Sequence, residues 1–263
     1  MERPAGVYHT QLTDGTESFR CSITIKGKHI SLGSYDNADM AGKVYTEAGR
    51  IFDSSLSIDD YSESDFVIPF AKFVILVNFR DNHIYFRTPV YLEHRHFTYW
   101  LSPTDWLIFD ADDLFYYTTH SIMRRGKHLF VSDFGMQVNI LSRYGIPPHA
   151  VSGRDYIFVN GNTHDYRYNN INIINPYHGV FKCHKNGRDI YKTRIHINGD
   201  YVVGTYDTDI EAAIAYNKAA DILHSKGLKK SFPENYPESL DAIAYASIYN
   251  SVKISRKILD YRP

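Results

Sequence analysis

One stretch of this chain occurs twice, so both copies must close the same small unit. The fuller copy runs from Tyr177 to Leu223. It reads as three short strands followed by an amphipathic helix. His178-Gly179-Val180-Phe181-Lys182 opens the first strand. Tyr191 to Ile197 alternates with the period of two that marks a half-buried second strand. Asn198-Gly199 then precedes Tyr201-Val202-Val203, and both turn residues tolerate positive φ. Gly204-Thr205-Tyr206-Asp207-Thr208 leads into the helix. Thr208 or Asp207 can cap it, with Glu211 three residues past Thr208 as in a capping box. Ala212, Ala213, Tyr216, Ala219, Ala220 and Leu223 follow at helical spacing, and the alanines let the helix lie close to a sheet.

The other copy spans residues 6–52. Gly6-Val7-Tyr8 matches Gly179-Val180-Phe181. Phe19 to Ile25 alternates like the second strand, and Lys26-Gly27 replaces Asn198-Gly199. Gly33-Ser34-Tyr35-Asp36 matches Gly204 to Asp207, and Ala41, Tyr45 and Ala48 match Ala212, Tyr216 and Ala219. The offset is 173 at the first glycine and 171 from Gly33 onward, which places a two-residue difference in the first loop.

Between the copies, residues 54–65 are rich in Ser and Asp and read as a linker. Residues 66–100 read as strand-rich: Phe73 to Phe79, His83 to Arg87 and His96 to Trp100, with a hairpin turn at Asp81-Asn82. Leu101 to Trp106 can start a short helix that ends at Asp110 to Asp113. Phe115 to Met123 and His128 to Val131 read as a hairpin across Arg124-Arg125-Gly126-Lys127. After Pro237, apolar positions from Leu240 to Leu259 predict a C-terminal helix packed on the body, or a surface for self-association.

Net charge is −1 overall, but it is distributed unevenly. Residues 1–65 hold 6 basic and 11 acidic side chains, whereas residues 151–231 hold 11 and 8. Positive charge therefore gathers on the second copy, which points to an anionic partner. Cys21 and Cys183 have neither a disulfide framework nor zinc spacing, which fits a reducing, cytoplasmic setting. The first ten residues carry no apolar signal region. The longest apolar run, Phe66 to Val77, is broken by Pro69 and Lys72, so no membrane span is expected.

From Tyr177 to the closing Ser231-Phe232-Pro233, the second copy resembles the AP2 domain, in the version that bacteria and phages attach to HNH homing endonucleases. Residues 101–176 are similar to the HNH module that precedes it, through Gly145-Ile146-Pro147-Pro148, Asn160-Gly161-Asn162, Asp165, Arg167 and Asn170. The resemblance implies an α+β fold: two AP2-like units (1–56 and 177–233) flanking a strand-rich, degenerate HNH-like region (66–176), with a C-terminal helix in 234–263. It also implies nucleic-acid binding by a phage or mobile-element protein.

Catalysis is expected to be absent. An HNH nuclease needs a histidine base and side chains that hold a divalent metal. The family's Asp-His pair falls here on Ile157-Phe158, its middle Asn on Tyr166, and its upstream His near Asn139-Ile140. No metal and no other cofactor is expected. The alternatives are a nuclease rewired around His149, His164 or Asp165, and an interaction protein using the acidic first copy or the C-terminal helix.

The expected contacts are polar side chains of the sheets. In the second copy these are Lys182, His184, Lys192, Arg194 and His196, with Arg188 in the loop. The first copy offers Arg20, Lys26 and Lys28, and the central hairpin tip offers Arg124, Arg125 and Lys127. Typical AP2 domains carry Arg and Trp where this chain has Lys182, Tyr191 and Thr193. The chain has 22 Tyr and 15 Phe, and exposed rings beside cations suit unpaired bases, so RNA and DNA both stand as partners.

Overall fold

The computed structural model describes residues 4–11, 13–148 and 150–263. The described chain is α+β, with small antiparallel sheets of two or three strands and short helices. It divides into two units. One takes Met1–Asn139 and Asn162–Asn170, and the other takes Ile140–Gly161 and Ile171–Pro263. No described helix is long and apolar enough to cross a membrane.

The first unit begins with β1 (Val7–Gln11), β2 (Glu17–Ile25) and β3 (Lys28–Tyr35), ordered β1-β2-β3, and then α1 (Ala38–Phe52). Lys26 (φ 47°) and Gly27 (φ 75°) close the β2–β3 hairpin in the left-handed conformation that two-residue turns require. Asn37 starts α1, its side chain accepting from the Met40 amide at 2.7 Å. Cys21, Ile23, Ile30 and Leu32 on the sheet bury against Ala41, Val44, Ala48 and Ile51 on the helix. This core continues through residues 54–65, expected as a linker. Leu56, Ile58 and Tyr61 pack into it, and the Tyr61 hydroxyl donates to the Ile68 carbonyl at 3.2 Å.

Next comes α2 (Phe70–Asn82), which takes up both the expected strand at Phe73–Phe79 and the expected hairpin turn at Asp81-Asn82. Every residue from Phe73 to Phe79 is buried, so the helix is enclosed and its sequence has no polar stripe to reveal a 3.6-residue period. His83 to Arg87 is not a strand either. His83 caps α2 in a left-handed conformation, and irregular chain follows.

A second sheet follows, β4 (Val90–Leu92), β5 (His96–Ser102) and β6 (Asp105–Asp110). The expected helix at Leu101–Trp106 is instead the β5–β6 hairpin, where Trp100 pairs with Trp106 and Leu107 and Phe109 alternate inward. Asp110 to Asp113 begins a helical turn rather than ending one, leading to α3 (Leu114–Thr119). That helix displaces the first half of the expected Phe115–Met123 strand. The hairpin is β7 (Ile122–Arg125) and β8 (His128–Asp133), extended by β9 (Met136–Asn139). The later segment 162–170 returns to this unit. The Tyr166 amide donates to the Ile108 carbonyl at 2.8 Å, and the Tyr166 ring packs on Phe109.

The second unit pairs β10 (Tyr156–Phe158) with β11 (Ile171–Ile173). It continues with β12 (Val180–Lys185), β13 (Arg188–His196), β14 (Asp200–Tyr206) and α4 (Asp209–Ser225). The Thr208 hydroxyl accepts from the Glu211 amide at 3.1 Å. The expected C-terminal helix is two, α5 (Ala242–Ser251) and α6 (Arg256–Leu259), and between them the Ser255 amide donates to the Val203 carbonyl of β14 at 2.8 Å.

The two copies share their fastenings. Gly6 and Gly179 both have φ near +70°, and a Cβ on either would overlap a helix tyrosine ring (Tyr45 or Tyr216) and a carbonyl of the middle strand. The Cys21 thiol donates to the Ala41 carbonyl, and the Thr193 hydroxyl donates to its counterpart at Ala212. Register corrects the length difference. Val7 pairs with Cys21 and Val180 with Thr193, then Cys21 pairs with Gly33 and Thr193 with Gly204. One extra residue therefore sits in each hairpin of the first copy, not two in its first loop. The tight left-handed turn of the second copy is Asn186-Gly187 (φ 52° and 77°), whereas neither Asn198 nor Gly199 has positive φ.

Candidate functional site

One face of the β12–β14 sheet packs against α4, and the other is open. Register assigns the faces, because directly paired residues point the same way and neighbours along a strand alternate. Val180 pairs with Thr193 and Lys182 with Tyr191, so all four point toward α4. Phe181 pairs with Lys192, and Lys192 with Thr205, so these point outward. The register shift at Thr193/Arg194 keeps Arg194, paired with Val202, on the outward side, along with His196 opposite Asp200. Lys185 and Arg188 close the outer face at the Asn186-Gly187 turn.

The outer face therefore gathers Lys185, Arg188, Lys192 and Arg194. Lys192 and Arg194 are two residues apart on one strand, about 7 Å along it. Neither forms an ion pair with a described residue. Arg188 lies 4.0 Å from Asp207, and His196 bonds Asp200 at 2.8 Å. A depression of about 230 Å³ lies at the turn end, lined by Lys185, Arg188, Ile190, Thr205 and Asp207 among others.

A fifth cation comes from outside the sheet. The Arg154 guanidinium lies 5.2 Å from the Phe181 ring centre and that of Arg194 lies 5.4 Å away, so two guanidinium groups share one ring. Arg154 is aimed by Asp155, whose carboxylate accepts from Arg154 Nη2 at 2.6 Å and from the Val151 amide at 2.8 Å. Asn175 ties this loop to the sheet: its Nδ2 donates to the Arg154 carbonyl, and its Oδ1 accepts from the Lys182 amide at 2.7 Å. Burial alone would raise the Asp155 pKa, but the bonds from Arg154, Val151 and Asn175 outweigh it and hold the carboxyl below its ordinary value. Nothing in the local sequence marks Arg154 out. Lys185 was also missed, because the first strand runs three residues further than its opening pattern shows.

Several expected contacts lie elsewhere. Lys182 and His184 are on the helix side of the sheet, where both hold Asp189, at 2.7 and 3.1 Å. Arg188 is the first residue of β13 rather than part of a loop. Lys26 and Lys28 turn away from the outer face of the first sheet. Lys26 Nζ reaches His83 Nδ1 at 3.5 Å and lies over Phe52, and Lys28 lies over Tyr85. Arg20 alone of the first-copy candidates is on that outer face, between Tyr8 and Ser34. Where the second copy has Arg194, the first has Ser22, and the surrounding face is hydroxyl-rich with Thr10, Ser18, Thr24 and Ser31. Arg124 is held by Asp105 at 2.8 Å. Arg125 lies on the opposite face of its hairpin, over Phe130, and Lys127 is exposed in the turn.

The aromatic expectation also changes on this sheet. Tyr191, Tyr201 and Tyr206 all face the helix side, with the Tyr206 hydroxyl donating to the Lys253 carbonyl at 2.7 Å. Among the described residues, Phe181 is the one Phe, Tyr or Trp on the outer face, with the His196 imidazole held by Asp200.

Of the residues offered for a rewired nuclease, His149 lies outside the described residues. His164 stacks on Trp106 and lies 3.8 Å from Asp105. Asp165 is buried, its carboxylate bound by Arg167 at 2.6 and 2.8 Å. Ile157 and Phe158 lie on β10, Ile140 is buried, and Tyr166 is in the first unit's core. Among the described residues no three His, Cys, Asp or Glu side chains converge as a metal site would.

Compared with protein-family models, with curated proteins and with solved structures, the chain matches none.

Proposed function

We propose that this chain is a non-catalytic nucleic-acid-binding protein, and that its contact surface is the outer face of the β12–β14 sheet. The observation that carries the reading is the convergence of Lys185, Arg188, Lys192, Arg194 and Arg154 on one open face. Such a face neutralises phosphates and displaces their counterions, which gives salt-dependent affinity. The AP2–HNH resemblance points the same way and brings with it a phage origin. The substitution of Ile157-Phe158 and Tyr166 for the family's catalytic positions supports binding without cleavage. Because Phe181 is shared by two guanidinium groups and the His196 ring is held by Asp200, the surface favours the backbone of a duplex over stacked single-stranded bases. Backbone contacts serve a DNA or an RNA duplex.

Fluorescence-polarisation titrations with matched duplex DNA, duplex RNA and single strands, at two salt concentrations with Mg²⁺ present, test this. Binding should weaken with salt, favour a duplex, and leave the nucleic acid intact on a gel. The Lys192→Ala, Arg194→Ala double variant should bind more weakly and lower the logarithmic salt slope by about 2. Absence of binding to every probe would overturn the proposal, and cut products would replace it with a nuclease.

A further inference from the structure

The second unit contains an open pocket of about 530 Å³ that the sheet surface does not use, bounded by α4, the chain from Phe232 to Asp241 and the start of α5. The volume is that of a small-molecule pocket. Its walls are of two kinds. Phe232, Tyr236, Tyr245 and His224 contribute rings, with Ala220 and Leu240 beside them. Asp221, Glu234, Glu238 and Asp241 contribute carboxylates, and no Lys or Arg lines the cavity.

The carboxylates differ in how far they are already engaged. Asp241 caps α5, accepting from the Ala244 amide at 2.7 Å. Asp221 accepts from the Tyr249 hydroxyl through Oδ2 at 2.8 Å, and Glu234 from the Tyr236 hydroxyl through Oε2 at 2.5 Å, which leaves the second oxygen of each. Glu238 has no hydrogen bond or ion pair to a described residue. Tyr236 is 74% exposed, and its bond to Glu234 fixes where the ring stands. The chain that carries Glu234 and Tyr236 is tied to α4 and α5. The buried side chain of Asn217 donates to the Tyr245 hydroxyl and the Asn235 carbonyl, and accepts from the Asn235 amide.

An anion would be repelled by this lining, and an apolar ligand would strip water from three carboxylates without replacing it. A cation satisfies both walls, since aromatic faces and carboxylates each attract it. We infer that this cavity binds an organic ammonium ion, a primary amine carried on an aliphatic chain. The rings and apolar side chains cover the chain, while Glu238 and the free oxygens of Asp221 and Glu234 receive the ammonium. The same chemistry is presented by a free polyamine and by a lysine side chain.

Calorimetric titration of the full chain with spermidine, fully acetylated spermidine and N-acetyl-lysine amide tests the assignment. Spermidine should bind saturably at one site, and its acetylated form at least tenfold more weakly. The Glu234→Gln, Glu238→Gln double variant should lose at least tenfold in affinity for spermidine, and Tyr236→Leu several-fold. These side chains are exposed, and circular dichroism checks that the variants fold. Tighter binding of the lysine amide would assign the pocket to a lysine side chain, and tighter spermidine to a free polyamine. No saturable heat with either amine, or unchanged affinity in the double variant, would overturn the inference. The Lys192→Ala, Arg194→Ala variant should keep its amine binding, which separates this site from the sheet face.

Discussion

Gly179 and Gly199 were equally visible as glycines in a turn-rich stretch, yet they do different things. Gly179 sits at φ +71° with the Arg194 carbonyl and the Tyr216 ring where a Cβ would go, and Gly199 has open space and no positive φ. Gly179→Ala should lower unfolding stability by about 2–4 kcal/mol, combining left-handed strain with overpacking. Gly199→Ala should stay within about 0.5 kcal/mol. Urea unfolding followed by circular dichroism compares the two, and equal effects would refute the assignment of the tight position. The cysteines divide in the same way. Burial pushes the Cys21 thiol up to about 11, so very little of it is thiolate at pH 8. A thiol reagent at that pH should label Cys183 in the folded protein and reach Cys21 only after unfolding. Sequence could identify these residues but could not say which atom of another element would press on them.

At the scale of elements, what could be read was a strand with one wet face and one dry one, or a helix with a cap. The β2 and β13 segments alternate because half of each meets solvent, whereas α4 is buried without a break from Ala212 to Asn217 and was marked by its Thr208 cap and its alanines; all three are where their patterns place them. The enclosed α2 gave no such contrast. Face assignment failed at β12 for a different reason. Lys182 and His184 are polar and exposed like the outer residues, but they extend past the α4 contact, so polarity alone does not tell the helix side from the open side. The loop that delivers Arg154 depends on one carboxylate. Because the Asp155 pKa is depressed in the folded chain, its stabilising contribution is complete above the ordinary value of about 4 and is lost as pH falls through the lower folded value. Hydrogen exchange should show the Val151 amide protected at pH 7 and progressively less so as the pH is taken down below about 4. Asp155→Asn should open it at pH 7 as well; unchanged protection in that variant would show that other bonds hold the loop.

For the whole molecule, the charge split seen in the sequence resolves into two similar sheets with dissimilar faces. Arg20→Ala should change nucleic-acid affinity less than twofold, while the Lys192→Ala, Arg194→Ala pair weakens it. A reversed order would place the contact on the first copy. Both tryptophans, Trp100 and Trp106, belong to the first unit, so indole fluorescence follows that unit alone while circular dichroism follows both. Two different midpoints would show that the units melt independently. The segment Asn162–Asn170 adds a consequence for anyone dissecting the protein. Its Tyr166 packs on Phe109 and its backbone bridges Ile108, yet it arrives only after the second unit has begun. A ribosome completing residue 139 has therefore not finished the first unit, and a gene cut at that point would encode a fragment with an exposed, unpaired edge at β6. Any single reading frame that holds one unit whole also carries part of the other.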